Sequence, residues 1–108
     1  MSIKLPASVA DFLAADSNQD MDKLSRSFTK DARVQDEHQE YEGLEAIKSW
    51  KQDAAARDHY VLEPLRAAVT EKNVRLRARL TGNFPGSPAE FDYTFVLANG
   101  KIAQLDIR

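Results

Sequence analysis

Apolar residues change their spacing partway along the chain, and that change limits the fold more than any other feature. In the first half they recur at helical intervals: Leu5, Val9, Phe12 and Leu13, then Met21, Leu24 and Phe28, then Leu44, Ile47, Trp50 and Ala54. In the second half they alternate. Val74, Leu76, Ala78 and Leu80 are separated by Arg75, Arg77 and Arg79, and Phe91, Tyr93, Phe95 and Leu97 follow the same rule. The first spacing buries a stripe of a helix and the second buries one side of a strand. Helices followed by neighbouring strands predict an α+β domain with an antiparallel sheet. With three amphipathic helices on one face, that sheet is expected to curve into a cone around them and leave an internal pocket. Such concave, mostly apolar spaces are where small molecules bind.

The punctuation agrees with this layout. Pro6 suits the first turn of a helix, and the polar run Asp16-Ser17-Asn18-Gln19-Asp20 is expected to interrupt it. Asp20 can cap the second helix. Gly43 opens the third, whose inner face is Leu44, Ile47, Trp50 and Ala54, with Lys48, Lys51 and Gln52 outside; it fades near Arg57 and Asp58. Pro64 marks a bulge or an edge position in the strand region Val61 to Val69. Residues Gly82 to Pro88 form a loop, and Asn99-Gly100 signals a tight hairpin into a last strand, Ile102 to Ile107.

Composition narrows the class. A chain of 108 residues, 43% hydrophobic and 30% charged, reads as one globular domain spanning 1–108. The net charge of -2 gives no electrostatic reason to expect nucleic acid or an anionic membrane. No apolar run approaches the ~20 residues of a membrane span, and the start Met1 to Pro6 lacks a signal-peptide core. Without cysteine there is neither disulfide nor thiolate chemistry. A cytoplasmic location is the expectation. His38, His59 and the scattered acids lack zinc-ligand spacing, so no metal site is expected.

Residues 32 to 38 carry the chemical signal. If they form a strand, Ala32, Val34, Asp36 and His38 share one side, and Arg33, Gln35 and Glu37 the other. An acid on the apolar side is costly to bury unless it has partners or a task. Asp36 is therefore either a proton-transfer base or a strand-end acid held by hydrogen bonds. His38 is either its assistant or an exposed turn histidine, and His59 reads as solvated. Trp50 is core packing or a cavity wall with an indole donor, and Tyr93 a core aromatic or a hydroxyl aimed at a ligand. The arginine stripe reads as the wet side of a strand, with acids on neighbouring strands to pair with it.

Several stretches resemble the SnoaL-like, ketosteroid isomerase-like branch of the nuclear transport factor two superfamily. F-T-K-D-A-R-V-Q-D (28–36) is similar to the family's aromatic-x-x-Asp-Ala-x-Val-x-Asp. E-G-L-E-A-I-K-S-W (42–50) is similar to its Gly-x-x-x-Ile-x-x-aromatic helix start, and Y-T-F-V-L-A-N-G-K-I (93–102) to its closing hairpin. The resemblance implies the cone-shaped fold and puts Asp36 at the isomerase's general base. The oxyanion tyrosine of the first helix falls at Phe12, which cannot donate, and a supporting tyrosine falls near Trp50 or Lys51. The second donor falls at Asp92 by spacing to the hairpin glycine, or at Tyr93 by the aromatic alternation. Alternation is the stricter guide, because a slip of one residue reverses every side chain. Steroid isomerisation itself is not expected.

The expectation is therefore a protein that binds a small, largely apolar molecule in its cone. Asp36 is the candidate acid or base, Tyr93 the donor and His38 the assistant, with Phe12, Trp50, Phe95 and Val34 as walls. Chemistry would be isomerisation, cyclisation or dehydration of a carbonyl compound, without a cofactor. A non-catalytic binder and a dimerisation module are the alternatives. Relatives of the fold pair through the outer sheet, so a homodimer is expected.

Overall fold

Asp20 is where the first two helices part. Its extended backbone (φ -93°, ψ 94°) leaves the helical path, and its carboxylate accepts the Lys23 backbone N–H at 3.1 Å. That hydrogen bond satisfies a donor that the first turn would otherwise leave unpaired. The computed structural model describes residues 4–18, 20–36, 38–58 and 60–108, and the side chains of 54–58 are not among what it describes. Expectations placed on Gln19, Glu37 and His59, and on the side chains of Ala54, Arg57 and Asp58, lie outside the described residues.

The elements are α1 (Ala7–Asn18), α2 (Met21–Ser27), β1 (Phe28–Asp36), β2 (Gln39–Glu42), α3 (Leu44–Asp58), β3 (Val61–Val69), β4 (Asn73–Thr81), β5 (Ala89–Ala98) and β6 (Lys101–Ile107). The strands form one six-stranded sheet in the order β2-β1-β6-β5-β4-β3, with the three helices packed against it. This is the expected α+β architecture with an open, curved sheet. Neighbours are antiparallel except β1 and β6, which run parallel with Val34 opposite Leu105. The wholly antiparallel sheet expected from the sequence thus has one parallel seam, where an early strand meets the last one.

Local signals explain how the chain reverses. Asn99 (φ 52°) and Gly100 (φ 78°) both take the left-handed conformation that a tight hairpin needs. His38 (φ 65°) turns β1 into β2. Gly43 (φ 89°) then donates its N–H to the Ala32 carbonyl at 2.9 Å and offers its own carbonyl to Ile47 at 3.0 Å. One residue therefore ties the start of α3 to β1. On the edge strand β3 the register shifts between Pro64 and Arg66, so the expected bulge and edge position are both present.

The inner face is continuous. Val9, Phe12 and Ala15 of α1, Leu24 of α2, and Ile47 and Trp50 of α3 meet Val34, Leu76, Phe95 and Leu105 from the sheet, all buried. Burying a side chain of this size contributes roughly 1.5–3 kcal/mol. Phe12 meets Phe28 and Phe95 edge-on, with centroids 5.8 Å and 5.6 Å apart. On the outer face Arg77 pairs with Glu90 (3.1 Å) and Asp92 (3.0 Å), and Arg79 with Glu63 (3.3 Å). Among the described residues, no helix is long and apolar enough to cross a membrane.

Candidate functional site

Asp36 closes β1 on the same side as buried Ala32 and Val34, and is itself half-buried. Its Oδ2 accepts the indole N–H of Trp50 at 3.0 Å. The start of α3 beside Ala32 brings Trp50 back over β1. There Trp50 is only 5% exposed, with the Tyr41 ring tilted against it at 5.9 Å. The hydrogen bond orients the carboxylate and leaves Oδ1 outside it.

His38 does not join Asp36. The strand ends at Asp36, and the left-handed turn that follows leaves His38 exposed. Of the two readings of His38 the exposed turn histidine holds; the role of assistant on the inner side is corrected, because that required extended backbone through position 38.

Tyr93 faces inward at 1% exposure and stacks on Phe95 at 6.3 Å. Asp92 points to the outer face with Arg77, as the alternation required. Burial, with the negative charges of Asp16 and Asp36, pushes the Tyr93 phenol far above its ordinary range, so it stays a neutral donor. Phe12, Val34 and Phe95 are fully buried around this region.

The structure adds a constellation that sequence reasoning placed elsewhere. Lys51, expected on the outside of α3, is 2% exposed. Its Nζ lies 2.6 Å from Asp16 Oδ1 and also donates to the Tyr60 hydroxyl, which donates to Asp16 Oδ1 at 2.6 Å. Asp16 is 5% exposed because α1 runs on to Asn18 rather than breaking at the polar run. The signal was present in the spacing: Asp16 follows Phe12 by one helical turn, and Lys51 follows Ile47 likewise. The Lys51 ammonium lies 4.6 Å from the Trp50 ring centroid, 5.2 Å from that of Tyr60 and 5.3 Å from that of Phe12.

These groups form one electrostatic unit. Burial lowers the Lys51 pKa from its ordinary value, while Asp16 and then Asp36 act to raise it. Burial raises Tyr60 far above the usual phenol range, and Asp16, Tyr93 and Asp36 add to the shift. Two carboxylates, one amine and two neutral phenols thus converge on an apolar interior. The set can take up, donate and hold protons where water is scarce.

The profile of the SnoaL-like domain matches residues 9–105. The chain belongs to the SnoaL-like domain family. A Sinorhizobium meliloti protein described as a candidate polyketide cyclase has the same fold at 40% identity and a TM-score of 0.94. The match covers 96% of this chain and 95% of that one. A Catenulispora acidiphila protein with a ketosteroid isomerase-like fold, solved with trimethylamine, matches at 19% identity and a TM-score of 0.83. That match covers 97% of this chain and 86% of the other. A nuclear transport factor two-like protein of unknown function from Cytophaga hutchinsonii matches at 14% identity and a TM-score of 0.81, covering 100% and 91%. The last two bear on the fold alone. No curated protein matches the chain at a significant level.

Proposed function

We propose that this protein binds a small, largely apolar carbonyl compound beside Asp36 and moves a proton next to its carbonyl group. The observation that carries the reading is the half-buried Asp36 carboxylate, held by the Trp50 indole N–H against an interior lined with Phe12, Val34 and Phe95. Abstraction beside a carbonyl needs a positioned base and a donor for the charge that develops on oxygen. Asp36 is the base and the neutral Tyr93 hydroxyl a donor, and the chemistry needs no cofactor. The 40% identical neighbour's description as a candidate polyketide cyclase fits this class.

Deuterium wash-in at carbons beside the carbonyl, followed by NMR for a panel of small apolar ketones in D2O, tests the reading. The protein should accelerate exchange for at least one member. Asp36→Asn should slow that exchange about 100-fold or more, with affinity within a few-fold and the fold intact. Exchange that is indifferent to Asp36→Asn would refute the assignment. Binding without exchange would support a second reading, a binding module, which Phe12 favours because it brings no hydrogen-bond donor to the interior.

We also propose a homodimer through the outer face of β3 to β6. A shallow cavity of about 330 Å³ there is lined by Arg66, Ala67, Ala68, Arg75, Arg77 and Asp92. Arginines and acids in adjacent rows suit a two-fold contact in which each copy offers both signs.

A further inference from the structure

The function proposed above uses Asp36 and Tyr93 and leaves Lys51, the most deeply buried charged group among the described residues, without a task. A buried ion pair is a weak source of stability, because desolvation offsets most of the attraction. The surroundings of Lys51 are also more than a counterion. Asp16 and Tyr60 take two of the three ammonium N–H donors among the described residues, and three aromatic rings surround the rest of the group. The Trp50 indole bridges two chemistries, since its N–H holds Asp36 while Lys51 Nζ lies 4.6 Å from its ring centroid. The amine and the base therefore sit against the same side chain.

We propose that Lys51 is an amine nucleophile that forms an imine with the carbonyl carbon of a small apolar aldehyde or ketone. The ammonium first passes a proton to Asp16, 2.6 Å away. The free nitrogen lone pair then forms the N–C bond as the carbonyl π bond breaks, and one nitrogen proton moves to the oxygen. Protonated Asp16 gives its proton to the resulting hydroxyl, which leaves as water while the C=N bond forms. The net change is ammonium plus carbonyl to iminium plus water, and Asp16 is again a carboxylate paired with the new cation. The Tyr60 hydroxyl touches both nitrogen and carboxylate, so it can pass protons between them. An iminium draws electrons from the neighbouring C–H more strongly than a carbonyl does, which eases proton removal by Asp36. Hydrolysis by water reverses the sequence and frees the product.

Depressed basicity supports the role. Burial is the largest influence on Lys51 and pulls it down, although Asp16 on α1 and Asp36 on β1 act against it. Among the described residues, Tyr60 ahead of β3 and Tyr93 on β5, both held neutral, are the other titratable groups that the cluster's electrostatics bring in. Desolvation of this kind leaves more free amine near neutrality.

The substrate class rests on the proposed function, but the labelling read in the test does not depend on Asp36. The full chain is incubated at pH 7.5 with propanal and sodium cyanoborohydride, which reduces an iminium to a stable secondary amine, and the alkylated lysines are mapped by peptide mass spectrometry. Lys51 should be labelled faster than exposed Lys4, Lys30, Lys72 and Lys101, because burial leaves more of its amine unprotonated. The preference should vanish in urea and persist in Asp36→Asn, so failure of the base assignment would leave it untouched. Lys51→Met should lose that adduct alone. A structural ion pair gives the reverse order: exposed lysines labelled and Lys51 untouched in the folded wild type, a result that overturns the proposal without relying on any variant.

Discussion

Lys51, Tyr60 and Tyr93 give the stability of this protein an alkaline signature with two opposite slopes. Lys51 titrates below its ordinary 10.5 when folded, so between those values the unfolded chain holds a proton that the native one has shed. Stability therefore rises with pH in that window. The two tyrosines titrate above their ordinary 10.0 when folded. Beyond that pH the unfolded chain loses protons the native one keeps, and each tyrosine removes about 1.4 kcal/mol per pH unit. Urea midpoints measured from pH 7 to 11 should climb and then fall, and Lys51→Met should abolish the climb alone. Midpoints that stay level across the range would contradict the cluster's geometry. The inward side of Asp36 and Tyr93 was legible in the sequence because a strand's period of two leaves no freedom. Lys51 was not: a lysine on an amphipathic helix reads as solvated, and its partner Asp16 lies on another helix, far back in the chain. Helical spacing puts each residue in line with a buried one, Asp16 after Phe12 and Lys51 after Ile47, but only the packed structure shows that the two meet.

At the level of elements, caps and turns were the readable parts, since each depends on one or two neighbouring residues. Asp20 illustrates this. Replacing it by alanine removes the bond to Lys23 N and should cost about 1 kcal/mol. Chemical denaturation would register the loss, and Asp20→Ser should recover most of it. The Asn99-Gly100 hairpin and the Pro64 irregularity were legible for the same local reason. The end of β1 was not, because Asp36, Glu37 and His38 are all polar and give no apolar residue to mark where the alternation stops. The parallel pairing of β1 with β6 leaves no periodic trace in either strand. It follows from which elements are free to meet once the helices have packed.

For the whole molecule, the fold follows from the order of helical and alternating segments, while the proposed homodimer would depend on a surface that periodicity describes only as wet. The outer sheet offers Ala68 among Arg66, Arg75 and Arg77 at the shallow cavity, a place where bulk and like charge would clash across a two-fold axis. Sedimentation equilibrium of the wild type at micromolar concentration should give twice the chain mass, and Ala68→Arg should give one. A monomeric wild type would rule out the pairing proposed for this face.

The parallel seam between β1 and β6 also governs the order in which the molecule can be made. During synthesis β1 has only the short β2 beside it until Lys101–Ile107 has left the ribosome. Its second backbone edge, where Val34 lies opposite Leu105, waits for a partner that comes after the other described strands. Pairing across so long a stretch of chain closes slowly. Until then β1 carries an open edge, and an open edge is a template for pairing with another chain.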